Sequence, residues 1–596
     1  MAKPPSGDSF LDVEHSLLGK QWRVRLADAR VGMALAQRLN LPEIVGRVLA
    51  ARGVHPEEAD SFFEPTLKNL LPNPSHLKDM DVATARLAQA ICMGEQVAVF
   101  ADYDVDGATS AALLERFFRS TGAVLRVYVP DRIKEGYGPT AEALLRLHDE
   151  GISTVITVDC GTTSFSALEE AANAGLDVIV VDHHISEPRL PIAHAIINPN
   201  RLDEESPHRV LAAVGVTYLL IVAINRRLRE VGWYKTRTEP DLLSWLDLVA
   251  LGTVCDVAPL TGLNRAFVTQ GLKIAAKRGN SGIAALADIA GLETRPTAYH
   301  LGFLLGPRVN AGGRVGESDL GARLLATEDV LEANKLAAHL DTLNVERKRI
   351  EAVVLDEAVA KIDCRDEANA IVFVCGEGWH PGVIGIVASR LKERYNRPAF
   401  VVAVNDGVAT GSGRSVPGID LGSAVLTARQ AGLVRTGGGH AMAAGFSTEA
   451  GGLDALRAFL DARMCAAAGA GFVASLGFDG ALTPAAVTPE FVHLLERLGP
   501  FGPGNAEPRF AFANTRIAFS EIVGDSHIRC VITDAVGAGR IKGIAFRSTE
   551  TELGRALLNR GGVSLHLAGH LRADRWQGRD DVQLFIEDAA IARPTT

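Results

Sequence analysis

Residues 97–110, Val-Ala-Val-Phe-Ala-Asp-Tyr-Asp-Val-Asp-Gly-Ala-Thr-Ser, constrain this chain more than any other stretch. Val97–Ala101 is an unbroken apolar run of strand length, which suits a strand covered on both faces of a sheet. Asp102, Asp104 and Asp106 follow at once, and Gly107 opens an Ala- and Leu-rich helical stretch. Alternation along extended backbone puts the three carboxylates on roughly one side. Crowded there without a cation, their repulsion would force protonation or local unfolding. A solvated Asp-rich turn is the plainer alternative. A calcium loop of the EF-hand type needs a glutamate six residues beyond the glycine, where this chain has Leu113. The acids therefore ask for partner ligands from elsewhere in the chain.

The pattern from Asp81 onward supplies them. It predicts strands over 97–101, 124–130, 153–158, 177–181 and 195–197, with helices over 108–119, 140–147 and 164–174 between them. Such alternation implies a parallel, doubly wound sheet, whose ligands collect beyond the carboxyl ends of the strands. The acids fall there. The third strand runs into Asp159-Cys160-Gly161 and the fourth into Asp182-His183-His184. A helical stretch from Asp241 to Leu251 gives way to Gly252-Thr-Val-Cys-Asp256. A lone carboxylate at a strand end is usually a helix cap. Acids at three strand ends of one sheet, one followed by two histidines, point instead to hard or borderline cations such as Mn²⁺ or Mg²⁺.

The totals set bounds. With 596 residues the chain is too long for one core, so three or four domains are expected. Seven cysteines without a CxxC pair argue for a reducing cytoplasm and against structural zinc. The first residues lack the order of a signal peptide, and no apolar run is long enough to span a bilayer. A net charge of −10 means that any nucleic-acid partner must be met by a local basic channel and by metal ions.

Asp104-x-Asp106-Gly, Asp159-Cys-Gly, Asp182-His183-His184 and Gly252-Thr-Val-Cys-Asp256 resemble the four ordered motifs of the DHH phosphoesterase superfamily. Gly411-Ser-Gly-Arg-Ser415 and Gly438-Gly-His-x-x-Ala-Ala-Gly445 are similar to its DHHA1 companion domain. Three further stretches, Tyr128–Gly138, Gly306–Arg314 and Phe501–Pro508, narrow the likeness to the branch that degrades single-stranded DNA from its 5′ end. The resemblance implies that Asp104, Asp106, Asp159, His183 and Asp256 hold two Mn²⁺ or Mg²⁺ ions, with Asp159 as the bridge. It places Asp102 in the inner or surrounding layer of ligands and His184 on the scissile phosphate. Many relatives carry a histidine two residues before Asp102. Phe100 stands there in this chain, so either Asp102 substitutes or one ion is held more weakly.

A strand end must also be recognised. Arg132 and Tyr137 lie in a glycine-bearing loop after the second strand. Arg308 and Arg314 flank Asn310 in a stretch that reads as a glycine-rich loop, and Ser412 and Arg414 occupy a predicted Gly-Ser-Gly-Arg-Ser turn. Each arginine alone reads as a surface ion pair. Together with the resemblance they imply a clamp for a 5′-phosphate and the backbone, to which His440 could donate. Trp379-His380 opens an apolar helix, and Arg347-Lys348-Arg349 reads as a solvated face.

The expected fold class is α/β: a parallel doubly wound DHH domain, a long connecting helix, an α/β DHHA1 domain and a C-terminal OB-like β-barrel. The expected bounds are an N-terminal helical lead-in over 1–80, the DHH catalytic domain over 81–324, the connecting helix over 325–362, the DHHA1 domain over 363–470 and the OB-like domain over 471–596. Trp22 reads as a packing anchor, and Phe546, Arg547, Arg575 and Trp576 as candidate stacking or backbone contacts to a nucleic-acid strand, with packing in the barrel core the alternative for Phe546. The implied activity is a cytoplasmic, monomeric, two-metal exonuclease that releases 5′-mononucleotides from single-stranded DNA in repair and recombination. A helicase and a single-strand-binding protein are its expected partners, and no membrane is involved. A DHH phosphodiesterase for short oligonucleotides or cyclic dinucleotides is one alternative, and a non-catalytic replication scaffold another.

Overall fold

The computed structural model describes residues 9–26, 28–132, 134–362, 369–468, 473–534, 537, 539–559, 563–574 and 581–592. The chain divides into two compact units, Leu70–Phe472 and Met1–Asn69 together with Val473–Thr596. Among the described residues no helix is long and apolar enough to cross a membrane.

The larger unit begins with five parallel strands, β1 Val97–Ala101, β2 Leu125–Tyr128, β3 Thr154–Val158, β4 Asp177–Val181 and β5 Ala195–Ile197. They lie in the order β2-β1-β3-β4-β5. The β-branched residues of β3 and β4 are buried on both faces, as a parallel sheet covered by helices requires. Ala98, Phe100, Val155, Val178 and Val180 pack on α2 Ala141–Asp149 and α3 Phe165–Asn173. Helices α1 Val105–Thr121 and α4 Ala213–Glu230 pack on the sheet as well and cover its other face. The strand order reverses between β1 and β3, where a doubly wound sheet opens its ligand crevice. Asp102 and Asp159 follow those two strands.

A helix α5 Leu246–Cys255 then packs on α1. After further helices over Gly262–Ala275, Ser281–Ile289 and Ala298–His300, a π-helical turn Leu301–Leu305 runs into α6 Gly306–Val315. The 33-residue helix α7 Val330–Ile362 carries Leu336 and Leu340 on its buried face early on, and later Val354 and Ala358, which join the core around Val372, Val374 and Trp379. Between these apolar halves Arg347 is buried, pairing with Glu351 at 2.9 Å and donating to Asn344 at 3.0 Å. The solvated face read at Arg347-Lys348-Arg349 therefore holds only for Lys348 and Arg349. A mixed sheet follows from β6 Val372–Glu377, β7 Ala399–Asn405, β8 Val408–Arg414, β9 Thr436–His440 and β10 Ala443–Glu449. Its order is β9-β10-β8-β7-β6, with α8 Ile384–Tyr395 and α9 Leu421–Gln430 between strands.

Two expected loops are regular structure. The segment of Arg308, Asn310 and Arg314 is helix α6, and none of its glycines has a left-handed φ. They are there for closeness: a Cβ on Gly306 would stand 2.3 Å from Cys255 Sγ, and one on Gly313 would stand 2.4 Å from the Tyr103 carbonyl. Ser412 and Arg414 lie on strand β8 rather than in a turn. Gly411 and Gly413 leave room for the rings of Phe446 and Phe400, which a Cβ would meet at 2.1 and 2.6 Å. His440 ends β9 and pairs with Ala443 across a two-residue hairpin.

In the smaller unit, strands Phe510–Val523, His527–Thr533, Arg540–Ala545, Leu565–Asp574 and Asp581–Ile591 close into a barrel, because the first also pairs with Leu565–Asp574. The lead-in is not helical throughout: Gln21–Val24 is a strand, parallel to Ser475–Phe478. Trp22 is fully buried there and donates to Asp588 at 3.2 Å. Phe546 stays half exposed between His527 and Phe585, on the barrel surface. Arg575 and Trp576 lie outside the described residues.

Burial opposes ionisation of Glu587, but His570 at 3.1 Å and Arg509 at 2.7 Å outweigh it and lower its pKa to about 2. A carboxylate depressed on folding stabilises above its unfolded value and loses that contribution as pH falls through the folded one. Stability from this group is therefore lost between about pH 4.3, the ordinary glutamate value, and about 2. Glu587→Gln should flatten the denaturation midpoint across this window relative to wild type; parallel curves would remove the coupling.

Candidate metal centre

Each acid at the sheet rim is placed by the element it ends or begins. Asp104 is the N-cap of α1, and its Oδ1 accepts from the backbone N–H of Asp106 at 2.8 Å and of Gly107 at 3.2 Å. Gly107 has no alternative, because a Cβ there would stand 2.2 Å from the Asp102 carbonyl. Asp106, in the first turn of α1, is buried and accepts from the N–H groups of Ala213 (2.7 Å) and Val214 (2.9 Å) at the start of α4. Asp159 leaves β3 in the left-handed region, with φ +60°, a conformation that aspartate tolerates better than most residues. Asp256 caps the C-terminus of α5, a helix that continues through Cys255, beyond its predicted end at Leu251. Gly252 lets α5 press against α1, since a Cβ there would meet Thr109 Oγ1 at 2.3 Å.

These residues converge from four segments of chain. His183 Nε2 lies 3.2 Å from Asp159 Oδ1 and 4.0 Å from Asp106 Oδ2, while its Nδ1 lies 3.7 Å from Asp256 Oδ2. Three ligand groupings fall within 4.8 Å among their own atoms: Asp102, Asp104 and Asp159; Asp106, His183 and Asp256; and Asp159, His183 and His184. Asp159 belongs to two of them, as does His183. Phe100, by contrast, is fully buried and stacks on Tyr128 at 5.3 Å, so it faces the core rather than the acids.

Burial first, and then the charge of Asp104, hold the carboxyls of Asp102 and Asp159 well above the usual range. The same causes, in the same order, raise Asp106 to about 7. For Asp256 burial comes first and the charges of Asp106 and Asp104 follow, raising it to about 9. Burial, then His184, lowers His183 to about 4. Asp102 Oδ1 and Asp159 Oδ1 are buried without a hydrogen-bond partner. Lone pairs left bare in a cluster of repelling acids with a neutral imidazole fit oxygen- and nitrogen-liganded divalent cations such as Mn²⁺ or Mg²⁺.

Sequence reasoning missed the work of Asp182. Its Oδ1 accepts from the backbone of His183 (2.7 Å) and His184 (3.1 Å) and from His184 Nδ1 (2.7 Å), and its Oδ2 accepts from Thr162 N–H at 3.0 Å. Burial works against its charge, yet these donors hold its pKa far below the usual range. Burial likewise opposes charge on His184, and Asp182 overrides it, raising His184 to about 9. The acid directly before two histidines was the available signal. Tyr137 donates to the Asp159 carbonyl at 3.0 Å, and its hydroxyl lies 3.3 Å from His184 Nε2. His440 stacks on His184 at 5.8 Å, nearly parallel.

The candidate clamp residues divide. Arg132 rests on the Tyr103 ring at 5.0 Å. Arg314 donates to the Gly382 carbonyl at 2.8 Å, and burial, then the nearby charges of Arg132 and Arg347, lower it to about 10. Arg414 donates to Ser412 Oγ at 3.0 Å and is lowered by burial and then by Arg132. A Cβ on Gly385, in the first turn of α8, would stand 2.9 Å from the Arg414 guanidinium and 3.1 Å from Ser412 Oγ. Three arginines thus share one field beside a helix N-terminus without an ion-paired carboxylate among the described residues. Arg308 is engaged elsewhere: it pairs with Asp341 of α7 at 2.9 Å and donates to the Leu304 carbonyl. Asn310 is half-buried on α6. Trp379 is a core residue that donates to Glu357.

Comparison with known proteins places the chain among relatives of one kind. Residues 96–253 match the DHH family N-terminal domain, 367–465 the DHHA1 domain and 478–588 the RecJ OB domain. The chain is 37% identical over 569 residues to the single-stranded-DNA-specific exonuclease RecJ of Escherichia coli (strain K12), covering 92% of this chain and 96% of that one. With the RecJ of Dickeya dadantii (strain 3937) the identity is 36% over 568 residues, with the same coverage of both chains. The crystal structure of RecJ in complex with Mn²⁺ from Thermus thermophilus superposes with a TM-score of 0.79 at 28% identity, covering 96% of this chain and 80% of that one.

A ligand that binds only the folded state stabilises it by about 2.7 kcal/mol at a hundredfold excess over Kd. Mn²⁺ should therefore raise the unfolding midpoint of the metal-free protein, and EDTA should reverse the shift. A midpoint indifferent to Mn²⁺ and Mg²⁺ would remove the cation reading of these acids.

Proposed function

The chain belongs to the RecJ family of single-stranded-DNA-specific exonucleases, and from that premise we propose that it removes 5′-mononucleotides in turn from the 5′ end of single-stranded DNA, with Mn²⁺ or Mg²⁺ as cofactor, in DNA repair and recombination. The observation that carries this reading is the convergence of Asp102, Asp104, Asp106, Asp159, His183 and Asp256 into overlapping ligand groupings at the sheet rim.

Asp104, Asp106, Asp159, His183 and Asp256 would hold two ions, with Asp159 serving two of the ligand groupings and Asp102 supporting them. When bound, the ions supply Lewis acidity, lowering the pKa of a water and neutralising charge on the phosphoryl oxygens. The protein does the rest by placement. Asp182 fixes His184 through Nδ1 and leaves Nε2, beside the Tyr137 hydroxyl, to donate to a non-bridging oxygen of the scissile phosphate. Arg132, Arg314, Ser412 and Arg414 gather around the terminal 5′-phosphate, and guanidinium forks suit its geometry. His440 stacks on His184, the histidine that Asp182 fixes. Arg308 and Asn310 act with them from α6, Arg308 by tying that helix to Asp341.

The expected division of labour follows the domains: metal chemistry within 81–324, the phosphate clamp completed from 363–470 across the connecting helix 325–362, and strand binding by the barrel within 471–596, with the lead-in 1–80 as support. A match to an OB domain favours a polymeric strand over a dinucleotide. A monomer is the assembly proposed with this activity. A helicase that frees strand ends and a single-strand-binding protein that holds them open are the partners this activity calls for.

Asp159→Ala should abolish Mn²⁺-dependent release of nucleotides from a labelled 5′-phosphorylated single strand, with circular dichroism unchanged. Retained release would sink the two-ion reading. Arg414→Ala should weaken binding of 5′-phosphorylated strands relative to 5′-hydroxyl strands, by about 1.5–3 kcal/mol for a charged hydrogen bond. Equal loss for both ends would count against the clamp.

A further inference from the structure

The two histidines reach the acids only because the backbone that carries them is held. Neither lies in regular structure: β4 ends at Val181, and residues 182–187 form an irregular segment. Their carbonyls point to the residues that follow β5. Asn200 Nδ2 donates to the His183 carbonyl at 2.6 Å and to the Arg209 carbonyl at 3.0 Å. Asn198 Nδ2 donates to the His184 carbonyl at 2.8 Å and to Thr162 Oγ1 at 2.9 Å, while its Oδ1 accepts from Asn200 N–H at 2.8 Å. Thr162 in turn donates its N–H to Asp182. Asn198 is fully buried, and every polar atom of its amide is engaged.

The strand that delivers these residues is the three-residue edge strand of the sheet. So short an edge adds little pairing; its use is to bring two carboxamides to the histidine backbone. Pro199 between them fixes one backbone torsion, so that both side chains reach the same segment. Asparagine is the residue this needs, because it donates and accepts from one short planar group. Aspartate would set an acceptor against a carbonyl.

We propose that Asn198 and Asn200 are positioning residues for the metal centre: by clamping the carbonyls of His183 and His184 they set the aim of the His183 imidazole toward Asp159, Asp106 and Asp256. The inference rests on the reading of His183 as a ligand. Partners that orient a metal ligand in this way are worth about 10- to 100-fold in metal affinity. A role in folding alone would lower stability and leave the affinity of the folded protein unchanged.

The test titrates the metal-free full-length protein with MnCl₂ by calorimetry and measures the unfolding midpoint in EDTA. Asn200→Ala is expected to weaken Mn²⁺ binding about 10- to 100-fold while binding of a 5′-phosphorylated single strand in EDTA is unchanged. Mn²⁺ affinity within twofold of wild type in the folded variant would overturn the proposal, whatever happens to its midpoint. Should Asn200→Ala fail to fold, the near-isosteric Thr162→Val, which removes the acceptor of Asn198, is read in the same way: weaker Mn²⁺ binding supports the clamp and unchanged binding refutes it. Wild-type protein that binds no Mn²⁺ would overturn the ligand reading itself, and this proposal with it.

Discussion

Repulsion among buried carboxylates organises this site, and the fold answers it in two different ways. Asp104 and Asp106 are met by backbone N–H groups: Asp104 caps α1, and Asp106 faces the first amides of α4. The positive end of a helix dipole offsets part of a negative charge there. Asp102 and Asp159 receive no such help on Oδ1, and burial and the charge of Asp104 hold both carboxyls well above the usual range. Helix termini thus hold one pair of acids in place, while the strand ends β1 and β3 leave the other pair with an unpartnered Oδ1 each. The separation follows from the doubly wound topology, because the switch point puts two strand ends side by side with helix starts directly above them.

That convergence needs the elements closer than side chains normally allow. Gly107, Gly252 and Gly313 each stand where a Cβ would meet a neighbour at 2.2 to 2.4 Å. Gly313 brings α6, and with it Arg314, against the Tyr103 carbonyl within the acid loop. Gly252 brings α5, and with it Asp256, against α1. The glycines here work by their lack of bulk rather than by backbone freedom, and their effect is to place acids and arginines from distant parts of the chain around one space.

The same fact explains what is legible in the sequence. The apolar runs of β1, β3 and β4 and the acids after them can be read directly, since strand, turn and ligand are adjacent in the chain. Asp182 can be seen but not assigned, because its task depends on where His184 turns. The stretch around Arg308, Asn310 and Arg314 reads as a loop from its glycines and Pro307, whereas a proline in the first turn is compatible with a helix and close packing requires the glycines. The Gly411–Arg414 strand misleads in the same manner, its glycines making way for two phenylalanine rings. Nothing local to Arg308 announces Asp341, 33 positions away. Nothing in Asn-Pro-Asn announces the carbonyls it holds.

The arrangement of charge carries the last step. Acids and arginines sit around the same loop, yet among the described residues no ion pair joins Arg132, Arg314 or Arg414 to them. The Tyr103 ring lies between Asp102 and Asp104 in sequence and carries Arg132 on its face, so the guanidinium is held by a ring rather than by a carboxylate. Arg314 and Arg414 donate to carbonyl and hydroxyl oxygens, and among the described residues neither is ion-paired with a carboxylate. Direct pairing would have lowered the energy of the empty site and erased both halves of its chemistry. Kept apart by peptide and ring, the two charge clusters suit the proposed guest, a phosphate chain whose terminal group would meet the arginines while the next phosphate would meet cations held by the acids. In a chain with a net charge of −10, this local opposition is what makes a polyanion welcome.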